Sequence, residues 1–157
     1  MGKGVIFKQE RVGKNGTHFT IFKFRTMIND AESLTGAVLS SKNDPRVTSL
    51  GKILRSSHVD ELPQLFNILK GEMSFVGPRP ERPEFVELFI KEIKDYQFRQ
   101  NVKPGITGLA QICLSYDASA NVKLQYDKFY INNRHSVLFN LIISCYTALK
   151  MVTFFRS

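Results

Sequence analysis

Apolar and polar residues alternate over two short stretches near the start of the chain, residues 5–9 and 17–24. That period of two predicts a pair of strands. The intervening Gly13-Lys14-Asn15-Gly16 contains an Asn-Gly pair, a strong hairpin signal. Beyond it the spacing lengthens to that of helices. Leu50, Ile53 and Leu54 share one face of a helix predicted over about 47–56. Leu62, Leu65, Phe66 and Leu69 form an apolar stripe on the next, with Asp60 as expected N-cap, Pro63 in the first turn and Gly71 after the last. Residues 80–96 predict an amphipathic helix with Phe85, Leu88, Phe89 and Ile93 inward and Glu84, Glu87, Lys91, Glu92 and Lys94 outward. Helices are also expected over 30–41 and 118–132, with turns at Asn43-Asp44-Pro45-Arg46 and over 103–108. The pattern predicts an α+β fold, a small N-terminal β-hairpin or sheet packed against several helices.

Residues 136–155 form the most apolar window, broken by a polar stripe at Ser136, Asn140, Ser144 and Thr147 and by Lys150. A spanning helix needs ~20 mostly apolar residues, so length permits one. The stripe favours a helix docked on the protein or lying in a membrane interface.

Composition narrows the picture. The 157 residues suit one domain, 1–157. Hydrophobic content of 43% with 13 Phe and no Trp indicates a folded, Phe-rich interior. A net charge of +8 points to anionic partners such as nucleotide phosphates, anionic lipid or nucleic acid. Recognisable nucleic-acid motifs and aromatic-basic interleaving are missing, which argues against nucleic acid. Cys113 and Cys145 have no metal-like spacing and are expected to be buried, reduced thiols in a cytoplasmic setting. His18, His58 and His135 form no ligand motif. Met1-Gly2-Lys3-Gly4 leads straight into the first strand without a signal peptide, and Ile6 breaks a myristoylation motif.

Candidate chemistry centres on Asp60-Glu61 at a helix mouth and on Gly77-Pro78-Arg79-Pro80, which holds one arginine between two prolines of fixed φ. Carboxylates facing a rigid guanidinium suit chemistry on a phosphate substrate, although an Asp-Glu pair opening a helix is more often only a cap and dipole partner. Lys23 and Arg25 alternate onto one face of the second strand, while Arg46 and Arg55 sit in the following turn and helix as further phosphate-holding candidates. A glycosidase would need its two carboxylates ~5–9 Å apart across a bond, which neighbours on one turn match poorly. A non-catalytic basic module binding anionic membrane or nucleotide-sugars is the other alternative.

The stretch Asp60-Glu61-Leu62-Pro63-Gln64-Leu65, running on to Gly77-Pro78-Arg79-Pro80-Glu81, resembles the signature of the bacterial sugar transferases, the monotopic phosphoglycosyl transferases. Lys23-Phe24-Arg25-Thr26-Met27, Asn43-Asp44-Pro45-Arg46, Lys103-Pro104-Gly105-Ile106-Thr107-Gly108 and Tyr126-Asp127 extend the resemblance in family order. It implies transfer of a sugar-1-phosphate from a UDP-sugar to a polyprenyl phosphate, with UMP released, at the cytoplasmic face of the bacterial inner membrane. It implies Asp60 as nucleophile through an aspartyl phosphosugar, Glu61 as ligand of a Mg²⁺ cofactor, and Arg79, flanked by Pro78 and Pro80, in the donor site. Relatives carry a membrane-inserted segment upstream, so the chain reads as the catalytic domain alone. Leu109 stands where the family often has Trp, and residues 112–116 also depart, so the sugar is not implied.

Overall fold

The computed structural model describes residues 4–29, 31, 36, 38, 44–115 and 117–154. The helix expected over 30–41 falls almost entirely outside them, as does Asn43.

Strands β1 (Ile6–Val12) and β2 (His18–Phe24) pair antiparallel from Ile6 opposite Phe24 to Val12 opposite His18. Asn15 and Gly16 take φ of 55° and 74° in the connecting turn, which is why Asn-Gly stands there. Phe19 and Ile21 turn inward from β2 onto Met73, with Ile68 and Ile106 around them. The same alternation puts Lys23 on that inward face, a lysine where an apolar residue would be ordinary.

Helix α1 (Ser49–Ser56) starts at Thr48, whose hydroxyl accepts the Gly51 amide. A Cβ at Gly51 would collide with the Thr26 backbone, so the glycine lets α1 sit directly on the segment after β2. The chain then makes a 3₁₀ turn, Val59–Gln64, running into α2 (Leu65–Leu69). Asn67 is fully buried and joins α2 to β2. Its side chain accepts the Phe22 amide at 3.2 Å and donates to the Thr20 carbonyl and the Glu72 carboxylate, each at 2.7 Å. Replacing Asn67 by Leu strands these partners, and a loss of roughly 2–4 kcal/mol is expected in urea unfolding.

A second, parallel pair of strands, β3 (Ser74–Val76) and β4 (Gly105–Thr107), corrects the reading of 103–108 as a loop. Three residues are too few to show alternation. A Cβ at Gly77, Gly105 or Gly108 would strike the partner backbone, so these glycines serve the approach of two backbones.

Helix α3 (Pro83–Glu92) is shorter than expected: Pro83 opens it, and Asp95 in the left-handed region, at φ 61°, precedes a 3₁₀ turn over Tyr96–Asn101. Its inner face is Val86, Phe89 and Ile90, continued by Ile93, packed with Tyr96 and Leu124. Leu88 is exposed instead. Helix α4 (Leu109–Cys113) leads to α5 (Ala120–Asn133), capped by Ser119, and α6 (Val137–Phe154). Val76, Tyr130, Ile131 and Ile143 form the core beneath α6.

The inward side of α6 carries Phe139 and Ile143 together with its polar stripe, while the outward side is largely apolar. Asn140 bonds Tyr130, the Thr147 and Thr107 hydroxyls meet at 2.6 Å, and Lys150 donates to the Ile112 carbonyl. Val137, Leu138, Leu141, Ile142 and Leu149 are exposed. The docked placement holds, and among the described residues no helix is long and apolar enough to cross a membrane. The expected stripe of α2 likewise faces outward: Leu62, Leu65, Phe66 and Leu69 are exposed, beside Leu50 and Ile53 of α1. Cys113 and Cys145 are free but exposed, not buried. Cys145 lies on the open side of α6, which explains one of them.

Candidate active site

The two adjacent carboxylates sit inside the 3₁₀ turn rather than at its cap. His58, left-handed at φ 58°, reverses the chain after α1, and its carbonyl accepts the Glu61 amide. Asp60 makes no capping bond, so its carboxylate is not committed to the backbone, although the residue is 7% exposed. The N-cap expectation is therefore wrong, because the left-handed residue at 58 already forms the turn.

Glu61 is the hub. Its Oε1 accepts Arg79 Nη2 at 2.6 Å and Lys23 Nζ at 3.3 Å. Burial alone would raise its pKa, but Arg79 and Lys23 outweigh burial and hold the carboxyl well below the usual range. Lys23 is pulled down to about 8, first by burial and then by Arg79, against the pull of Glu61. Asp60 moves the other way: burial and the neighbouring Glu61 raise it, opposed by Lys23, Arg79 and Arg55. Desolvation is the larger effect, so the cations around Asp60 do not bring its carboxyl below the ordinary range.

The loop carrying Arg79 is held from behind. Pro78 and Pro80 are buried on either side. The Gly77 amide donates to Thr107, and the Gly105 amide to the Pro78 carbonyl. Arg11 donates to the Pro80 carbonyl at 2.9 Å, and the Val12 amide to Glu81 at 3.0 Å. Arg99 donates to the Arg79 carbonyl at 2.9 Å while its Nε meets Asp127 at 2.6 Å and its Nη1 the Tyr96 hydroxyl at 2.7 Å. This buried pair fixes Arg79 without touching the acidic turn. The sequence reading assigned it no role. Its signal was present: Leu124, Asp127 and Ile131 share one helical face, and an aspartate on an apolar face needs a partner.

The remaining basic candidates divide. Arg55 donates to the Thr26 hydroxyl at 2.9 Å and lies near enough to act on Asp60. Arg25 is engaged by the Gly4 carbonyl and the Phe7 ring. Arg46 grips Asp44 in a two-pronged pair at 2.8 and 2.6 Å that closes its own turn. Neither makes a described contact with the acidic pair.

The acidic pair offers oxygen donors only. Among the described residues no cluster of three or more His, Cys, Asp or Glu could hold a metal by itself. A hard divalent cation such as Mg²⁺ could use these two carboxylates only with further ligands from substrate phosphates and water.

The chain matches the bacterial sugar transferase family model over residues 1–154. It is 47% identical over 132 residues to the UDP-N-acetylgalactosamine-undecaprenyl-phosphate N-acetylgalactosaminephosphotransferase of Aeromonas hydrophila, covering 82% of this chain and 31% of that one. A putative undecaprenyl-phosphate N-acetylgalactosaminyl 1-phosphate transferase of Bacillus subtilis is 48% identical over 122 residues, 76% of this chain and 62% of the relative. The undecaprenyl-phosphate galactose phosphotransferase of Salmonella typhimurium is 35% identical over 146 residues, 84% of this chain and 30% of the relative. The chain thus spans less than two thirds of each of these three relatives. With the family model matched from end to end of the described fold, the chain belongs to the bacterial sugar transferase family.

Proposed function

We propose that this chain transfers a sugar-1-phosphate from a UDP-sugar to polyprenyl phosphate, such as undecaprenyl phosphate, releasing UMP. That is the first membrane step of bacterial glycan assembly, for exopolysaccharide, capsule, O-antigen or glycoprotein. The observation that carries the reading is the charge arrangement: a buried Asp60 with no capping bond stands beside a glutamate that gathers Arg79 and Lys23. The relatives' names point to the same chemistry.

In this reading Arg79 and Lys23 swing part of their charge from Glu61 to the donor's phosphates, with Arg79 suited to a forked grip. An ionised Asp60 oxygen forms a bond to the sugar-bearing phosphorus. The bond from that phosphorus to the bridging oxygen breaks, and UMP leaves with the electron pair. An oxygen of the acceptor phosphate then attacks the same phosphorus and restores the Asp60 carboxylate. Glu61 would hold Mg²⁺, whose charge when bound offsets that of the pyrophosphate.

The pKa directions set a pH profile. Asp60 must be ionised, and its raised pKa places the acidic loss of activity above the ordinary carboxylate range. Lys23 must be charged to hold phosphate, so kcat/KM for the donor should fall as pH rises through about 8. Lys23→Arg keeps its charge and should move that alkaline limb upward. An unmoved limb removes Lys23 from donor binding.

Leu50 and Ile53 of α1, Leu62 of the acidic turn and Leu65, Phe66 and Leu69 of α2 are all exposed, so the turn and the helices before and after it carry apolar surface. They support seating of the site against the membrane that holds the acceptor, at its cytoplasmic face. Phe66→Glu with Leu69→Glu should cut liposome flotation several-fold while leaving the fold intact. Equal flotation of the double variant would place the contact elsewhere. The overall reading is tested by a UMP-release screen across UDP-sugars with polyprenyl phosphate and Mg²⁺. Acceptor-dependent UMP release with one of them is expected, and none with any would overturn it.

A further inference from the structure

A cleft of about 490 Å³ is lined by none of Asp60, Glu61, Lys23 or Arg79. Three cations from separate parts of the chain reach it: Lys14 on the hairpin turn, Lys103 just before β4, and Arg134 at the end of α5. His135 lies beside Arg134 on its wall. No carboxylate lines the cleft among the described residues. Nor, among them, do Lys14, Lys103 or Arg134 form an ion pair. The Arg134 guanidinium has one recorded bond, Nη1 to the Ile131 carbonyl at 2.8 Å.

Like charges gathered without acids repel one another, a cost that an anion between them would reverse. The part of the wall that carries Arg134 is also fixed in advance. The Tyr130 hydroxyl meets both the Val76 carbonyl, at 3.0 Å, and Asn140 Oδ1, at 3.1 Å. Asn140 Nδ2 donates to the Arg134 carbonyl at 2.7 Å, pinning the corner between α5 and α6. The volume lies within the range of small-molecule sites, and a guanidinium flanked by ammonium groups is the donor set for phosphate oxygens.

We propose that this cleft is a second anion site that takes a phosphate group through Lys14, Lys103 and Arg134. The site is separate from the acidic turn and does not depend on the phosphosugar-transfer reading. The phosphate has two possible sources. The exposed apolar face of α6 begins at Val137, directly after His135 and Ser136, which suits a lipid headgroup. The open cleft equally admits a soluble phosphate compound.

The test is an NMR titration of the full chain with inorganic phosphate, following the His135 ring and the Asn140 side-chain amide. Saturable shifts of both are expected. They should weaken at least about tenfold in Lys14→Gln with Lys103→Gln, and again in Arg134→Gln alone, with spectral dispersion retained. Resonances that stay still, shifts confined to Lys23 and Arg79, or unchanged affinity in both variants would overturn the proposal. Vesicles of phosphatidylcholine, with and without phosphatidylglycerol, separate the sources. If the Lys14→Gln, Lys103→Gln variant loses preference for the anionic vesicles along with phosphate binding, the ligand is a lipid headgroup. If it loses phosphate binding alone, the ligand is a soluble phosphate compound.

Discussion

Asp60→Asn should lower transfer by about four orders of magnitude or more, because it removes the proposed nucleophile at almost constant shape. Stability should move little, and in the opposite sense. Burial and Glu61 raise the Asp60 pKa, so the folded state binds its proton more tightly than the unfolded chain does. Stability from this group is therefore present at low pH and lost as pH rises through its folded value. At neutral pH the ionised carboxylate is a liability that an amide lacks. The variant should unfold at an equal or slightly higher urea concentration than the parent, as expected where an active site retains an unfavourable charge. A folded Asp60→Asn protein with substantial transfer would remove Asp60 from the chemistry.

The largest loss of stability should come from Asp127→Asn. Arg99 stays charged, and its side chain is 9% exposed, so removing Asp127 leaves a guanidinium buried without its counter-charge. Such losses run to roughly 3–5 kcal/mol. Transfer should fall too, because Arg99 also holds the Arg79 carbonyl and so places the guanidinium that faces Glu61. Replacing the pair together, Arg99→Met with Asp127→Leu, should recover much of the stability without recovering activity. The two variants thus separate the fold from the positioning of Arg79. Urea unfolding within about 1 kcal/mol of the parent for Asp127→Asn would show that the pair contributes little.

The hairpin was legible because its signals are local: alternation in two strands and an Asn-Gly turn. The acidic pair and the Pro-Arg-Pro loop were legible as residue types, and their joining through Glu61, Arg79 and Lys23 agrees with that reading. Three things were hidden for physical reasons. β3 and β4 are too short to carry a period, and they exist because glycines let two backbones meet. The direction of each amphipathic face is not written in its spacing. The stripes of α2 and α6 have helical periods, yet the apolar stripe of α2 faces out, and the polar stripe of α6 faces the protein beside the buried Ile143. The sign of the Asp60 shift depends on burial, which no run of residues displays. Arg46 illustrates the same limit: its spacing suits a phosphate ligand, while the structure spends it on Asp44.

A covalent bond between Asp60 and the sugar phosphate would show in mass spectrometry of the intact protein. The chain is mixed with the UDP-sugar selected by the UMP-release screen, without polyprenyl phosphate, and quenched in acid. A mass increase of one phosphosugar is expected, mapped to Asp60 and absent in Asp60→Asn, with about one UMP released per protein. Full transfer when acceptor is present, but neither adduct nor UMP burst without it, would rule out the Asp60 intermediate and point to direct transfer between donor and acceptor.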